Sequence, residues 1–414
     1  MTSHPELDPL SRAYVLLAFG IERHVPGYVD AYVGPDTLRD EALTGEPPEP
    51  ARLLDAARAL AVGVAETAGS ETRVGYLTAQ VAAMIVTCRR LAGERLAYRD
   101  EVRSCFDVEP ERTPDETFQE AIAELDALLP GEGPVAERMI AWRRRFEVTP
   151  EAAQRLIDVI VPEIRRRTAA IVELPAGEAV EFRFVTDQPW SGYNWYLGDA
   201  HSRVELNTDL PIHAHRLTDL LCHEAYPGHH TEHAVKERRL YRELGYGEHA
   251  IQLINTPECV IAEGIATLAE GVAFPGDERF LFQAERVYPL VGLDGDPERE
   301  AAIARAQRAL RAVPGNAALL LHDDGRDETE VVTYLQRFGL LSAAEARQRL
   351  RFIADPLWRA YIFTYHAGYD VLGAWLNVGP PDERGTHFQT LLTEQIYPSR
   401  VAQWVAEERS AASR

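Results

Sequence analysis

The chain has 414 residues, 46% of them hydrophobic, with 65 acidic and 43 basic side chains and a formal net charge of −22. That apolar fraction supports a sizeable core and excludes an intrinsically disordered chain. The acidity, with no basic cluster to offset it, argues against nucleic acid and anionic membrane surfaces as partners.

Nothing approaches the run of about 18 apolar residues that a membrane span needs, and residues 1–10 lack a basic-then-apolar signal pattern. Cys88, Cys105, Cys222 and Cys259 are scattered without metal-like pairing, which suits a reducing compartment. The expectation is a soluble, cytoplasmic protein. At about 150 residues per domain the length allows two or three domains. The reading adopted is an N-terminal helical region over 1–175 and a catalytic helical region over 176–414, forming one continuous unit.

Apolar residues recur at helical spacing along most of the chain. Leu53, Ala57, Leu60 and Val64 form a first stripe, and Leu77, Val81, Met84, Cys88 and Leu91 a second. Phe118, Ile122, Leu125 and Leu129 form a third, and Val135, Met139, Trp142 and Phe146 a fourth. The run Arg143-Arg144-Arg145 reads as the solvated face of that last helix. Thr149-Pro150, Thr256-Pro257 and Asp355-Pro356 each place an N-cap residue before a first-turn proline, and Ser342 with Glu345 reads as a capping box.

Between these helices, residues 180–185 and 204–207 alternate as strands do, around a segment holding Trp190, Tyr193, Trp195 and Tyr196. The expectation is a mainly α fold with one small antiparallel β element.

Eight of the 13 histidines lie between His201 and His249. In a His-Glu-x-x-His zinc motif, positions i and i+4 share a helix face and the intervening Glu addresses the metal-bound water. Here His223-Glu224 is followed at i+4 by Pro227, and the next histidines are His229 and His230. An unbroken helix would carry both away from His223. Pro227 forbids an unbroken helix, and a two-residue bulge at Pro227-Gly228 would return His229 to the i+4 place. His233 reads as an exposed residue of the continuing helix. A third ligand comes from the next helix, where Glu263 sits in the apolar run 260–266 and a metal would offset the cost of burying it. Glu258 suits the start of that helix, and Glu270 is placed to support the histidine helix.

These residues carry a resemblance. His223-Glu224-Ala225-Tyr226-Pro227-Gly228-His229-His230, then Glu263-Gly264-Ile265-Ala266, then Tyr365-His366-Ala367-Gly368-Tyr369, resemble the bacterial domain-of-unknown-function 885 family over about residues 182–376. That family in turn resembles the carboxypeptidase Taq and thimet-oligopeptidase group of zinc peptidases. The resemblance implies a helical, bowl-like body of glutamate-zincin type with a deep cleft. It favours His229 over His230 as second ligand, and gives Val204, Glu205, Leu206 and Asn207 the role of an edge strand that pairs with substrate.

The implied chemistry is hydrolysis of a peptide or small amide by one Zn²⁺ per chain on His223, His229 and Glu263. Glu224 is the general base and Tyr365 the donor to the oxyanion. His230, His366 and Tyr369 stand as alternates. The rivals are a non-catalytic helical binding protein and a zinc amidase or esterase acting on a small non-peptide. Oligomeric state is not legible.

Overall fold

A computed structural model describes residues 4–67, 70–188, 190–209 and 211–412. The protein is mainly α, with three small sheets among the described residues. The four apolar stripes fall on helices Pro50–Glu66, Glu71–Leu91, Asp115–Leu128 and Val135–Arg144, each buried on its apolar face. Thr149 caps the Pro150–Ala169 helix through its side chain, and Ser342 and Glu345 form the reciprocal capping box of Ala343–Ala354. Two of the sequence-predicted caps differ. The Thr256 hydroxyl turns back to the Leu253 carbonyl instead of capping Pro257–Ala273. Asp355 accepts from the Leu357 and Trp358 amides, but only turns follow, and regular helix begins at Phe363.

The Pro257–Ala273 helix is the axis of the molecule. It packs on Phe363–Leu376, Ala214–Glu224 and His229–Lys236. Val260, Ile261 and Ile265 are fully buried on it, each contributing about 1.5–3 kcal/mol by leaving water. Its crossing with Phe363–Leu376 is unusually close. A Cβ on Gly368 would lie 2.5 Å from the Val260 carbonyl oxygen, and one on Gly264 would lie 2.8 Å from the Gly368 carbonyl oxygen. Only two glycines allow these backbones to touch.

The three-stranded sheet is mixed. Strand Ala179–Val185 runs parallel to His201–Asn207, which pairs antiparallel with Gly192–Gly198 on its other side. His201–Asn207 is therefore the central strand. This corrects the expectation that Val204, Glu205, Leu206 and Asn207 form an edge open to substrate, because both sides of that strand are already hydrogen-bonded. Val204 and Leu206 lie in the core, Glu205 holds Arg203 and the Trp195 indole, and Asn207 donates to the Gln188 and Trp190 carbonyls. The strand that lies against Glu224 is Gly192–Gly198.

Two further ladders join earlier stretches of the chain to its middle. Val29–Tyr32 pairs antiparallel with Ile251–Leu253, and Glu147–Val148 pairs with Ile212–His213. No single helix among the described residues is long and apolar enough to cross a membrane.

Candidate metal centre

The Ala214–Glu224 helix stops where Pro227 approaches, and a new helix begins at His229. Between them the Gly228 amide donates to the Cys222 carbonyl at 2.9 Å and the Thr231 amide to the Ala225 carbonyl at 3.2 Å. Both bonds reach back six residues where an α-helix reaches four, so two residues are looped out. The Tyr226–Pro227 bond is cis. Gly228 lies so close to the preceding turn that a Cβ there would stand 2.0 Å from the His223 carbonyl oxygen. No larger residue fits this bulge.

The result brings His223 and His229 together, rings edge to face with centroids 4.8 Å apart. Glu263 arrives from the axial helix, its Oε2 3.5 Å from His223 Nε2. One donor atom from each of the three lies within 4.8 Å of the others. Two ligand atoms about 2.1 Å from a tetrahedral zinc stand about 3.4 Å apart, so the His223–Glu263 spacing already matches and His229 needs only a small rotation. Glu263 is buried; Tyr361 donates to its Oε1 at 2.8 Å, while Oε2, facing the histidines, has no hydrogen-bond partner among the described residues. An orphaned buried carboxylate oxygen aimed at two imidazoles fits a cation between them.

The electrostatics point the same way. Burial alone would depress the His229 pKa, but Glu232, Glu263 and Glu224 around it push it up to about 9. His223 goes down to about 3, by burial first and then by the charge of His229. Glu224 is buried, and desolvation pushes its carboxyl up to about 7, with His229 opposing and Glu263 and Asp30 adding. The Glu224 backbone carbonyl accepts from Asn194 Nδ2 at 2.7 Å, and a Cβ on Gly192 would lie 3.3 Å from its Oε1. Gly192–Gly198 therefore walls Glu224.

Outer contacts fix these side chains. Glu232 lies 3.9 Å from His229 Nδ1 and is held by Lys236 at 2.7 Å, which also holds Glu258 at 2.7 Å. Tyr76 bonds Glu258 in turn. Glu258 is thus a partner of the buried lysine and not simply a first-turn acid. His233, expected to be exposed, is buried, its ring stacked on His229 at 5.9 Å and its Nδ1 2.5 Å from Gln252 Nε2. Glu270 pairs with Arg279 at 2.9 Å.

Tyr365 is half-buried, has no hydrogen-bond partner for its hydroxyl among the described residues, and faces the charges of Glu263 and Glu224. Burial keeps it protonated well above the usual tyrosine range. The three alternates lie elsewhere. His230 is fully buried, with Nδ1 on Ser202 at 2.9 Å and Nε2 on Glu178 at 3.0 Å, so neither ring nitrogen is free for a metal. His366 packs against Gly315 and Phe363, and Tyr369 lies under the Arg311 guanidinium.

One group at the site gave no sequence signal. Asp30, hydrogen-bonded by Tyr193, enters the field of Glu224 from nearly two hundred residues away in the chain. A lone Asp in a short N-terminal strand carries no motif.

No protein-family model matches the sequence, and no curated protein does. The fold is similar to that of a protein from Colwellia psychrerythraea provisionally named a lipoprotein. The TM-score is 0.55 at 16% identity, over 96% of this chain and 75% of that one. A provisionally named lipoprotein of unknown function from Shewanella oneidensis aligns with TM-score 0.48 at 13% identity, over 88% of this chain and 73% of that one. At these identities the similarity concerns the fold alone.

Proposed function

We propose that the chain is a metal-dependent hydrolase, most plainly a zinc peptidase of glutamate-zincin type, with His223, His229 and Glu263 as ligands. The observation that carries this reading is the unpartnered Glu263 Oε2 facing two histidines, with the buried carboxyl of Glu224 beside them. A zinc ion bound there supplies Lewis acidity toward a carbonyl and a lowered pKa for water.

The chain's own groups do the rest. Glu224, poised near neutral pH, takes a proton from the attacking water and delivers it to the leaving amine. Its carboxyl keeps its place because Asn194 anchors the backbone behind it and Gly192 lets the strand approach. The Tyr365 hydroxyl, neutral and without another partner, donates to the oxygen on which charge develops. Tyr361 holds Glu263 in one rotamer, and the Glu232–Lys236 pair orients His229.

The first test is metal analysis of untagged protein beside the His223→Ala variant. About one zinc per chain, lost in the variant, supports the reading. Absence of metal after reconstitution sinks it and leaves the non-catalytic binding protein. Peptide turnover then separates a peptidase from an amidase or esterase on small non-peptides.

A further inference from the structure

Asp30 stands where two chains of contacts from the candidate centre meet. From Glu224, one runs through the Gly192–Gly198 strand: Asn194 holds the Glu224 carbonyl at 2.7 Å, and the hydroxyl of the adjoining Tyr193 donates to Asp30 Oδ1. From His229, the other runs through the stacked ring of His233 at 5.9 Å to Gln252, whose Nε2 is 2.5 Å from His233 Nδ1. Gln252 lies opposite Ala31 in the Val29–Tyr32 ladder. The register of that ladder slips here. Val29 faces Leu253 and Ala31 faces Gln252, so the early strand carries one residue more than its partner, and Asp30 is that residue. A bulge releases its extra residue from the ladder and re-aims the side chain.

The Asp30 carboxylate is short of partners. It is half-buried and reaches water, yet burial raises its pKa. Oδ1 accepts from the neutral Tyr193 hydroxyl, while Oδ2 has no hydrogen-bond partner and the group has no ion pair among the described residues. The buried acids Glu101, Glu178, Glu232 and Glu248 each hold an arginine or lysine instead. Around the Tyr193 ring stand Trp190 at 5.6 Å and Trp195 at 4.7 Å, the latter exposed. A partly desolvated carboxylate beside accessible aromatic rings is a surrounding that favours a cation.

Charge balance has the same sign. On the proposed reading, the two charges of a zinc ion on His223, His229 and Glu263 offset the carboxylates of Glu263 and Glu224. Asp30 is the acid left over, with no lysine or arginine of the chain bound to it among the described residues.

We propose that Asp30, held by Tyr193, receives an ammonium group of the substrate beside the metal centre. This rests on the peptidase reading above and narrows it to peptides that bring a positive charge to the site, from a free amino terminus or from a lysine side chain.

The test uses full-length Glu224→Gln protein supplied with zinc, so that binding is read without turnover. Penta-alanine, N-acetyl-penta-alanine and an N-acetylated pentapeptide with lysine in place of one alanine are titrated by calorimetry. The proposal expects at least one of the two ammonium-bearing peptides to bind about tenfold or more tighter than N-acetyl-penta-alanine. Preference for penta-alanine assigns the site to the chain end, and preference for the lysine peptide assigns it to a side chain. Asp30→Asn in the same background keeps an acceptor for Tyr193 and removes the charge, so it should erase the preference, while Asp30→Glu keeps part of it. Melting curves like the parent's show that the variants fold. Should Asp30→Asn not fold, salt decides: the preference should weaken as ionic strength rises, and one indifferent to salt overturns the proposal. Equal affinity for the three peptides, or binding of none, overturns it, as does a preference that survives Asp30→Asn. Zinc binding and peptide turnover with no ammonium preference would leave the peptidase reading standing and sink this one. An Asp30-dependent preference in a protein whose wild type binds no zinc would do the reverse.

Discussion

Tyr361 donates its hydroxyl to Glu263 Oε1 at 2.8 Å, while Oε2 of the same carboxylate has no hydrogen-bond partner among the described residues and is turned toward His223. One oxygen is fixed so that the other is available. Tyr361→Phe should therefore keep the fold and weaken zinc binding by about 10–100-fold, the usual effect of losing an outer partner. Competition against a chromophoric chelator measures it. Unaltered affinity would mean that packing alone orients Glu263.

On the proposed reading, Glu224→Gln removes the base without removing a ligand. Zinc content should stay at the wild-type level while peptide turnover falls by about 10²–10⁴-fold. Turnover near that of the wild type would take Glu224 out of the proton-transfer role.

Gly228→Ala places a methyl group against backbone that cannot move aside, 2.0 Å from the His223 carbonyl oxygen and 2.4 Å from that of Cys222. The bulge must open, and His229 must leave His223. The expected outcome is a lowered melting temperature together with loss of bound zinc. A variant that melts like the wild type and retains its metal would show that the bulge has room to relax.

Stability should fall on the acid side. Burial would raise the Glu178 pKa, but hydrogen bonds from His230, Tyr226 and Arg165 overcome it and bring it from the usual 4.5 to about 2. A depressed carboxylate contributes its stability in full above the unfolded value and loses it as pH drops from 4.5 toward 2. The contribution is up to about 3 kcal/mol. His230 is also depressed, by burial first, so the unfolded chain takes up its proton first and destabilisation begins below about 6.5. Urea unfolding at pH 7 and pH 4 should show the loss, and Glu178→Gln should flatten it. An acid limb as steep in the variant as in the wild type would assign the loss to other groups.

Much of this was legible because local rules and tertiary packing agree. The stripes 53–64 and 77–91 became buried helix faces because their apolar spacing admits no other period. The meeting of His223, His229 and Glu263 was legible because Pro227 and Gly228 dictate a break and an apolar run isolates the carboxylate. Strand order was not. Alternation identifies a strand but says nothing about its neighbours, so the central place of Val204 and Leu206 had to come from pairing. The burial of His233 was hidden for a similar reason: Gln252, on the later strand Ile251–Leu253, lies against its ring.

The antiparallel pairing of Val29–Tyr32 with Ile251–Leu253 bears on how the protein can be dissected. A boundary near residue 175 would seem a natural place to cut, with every histidine of the cluster on one side. Yet the strand contributed from the early part of the chain carries Asp30, bonded to Tyr193 and inside the field of Glu224. A fragment that begins after the boundary would leave Ile251–Leu253 with a bare edge and Tyr193 without its acceptor. Progressive shortening from the amino end should disturb the surroundings of Glu224 within the first thirty or so residues, long before it reaches the histidines.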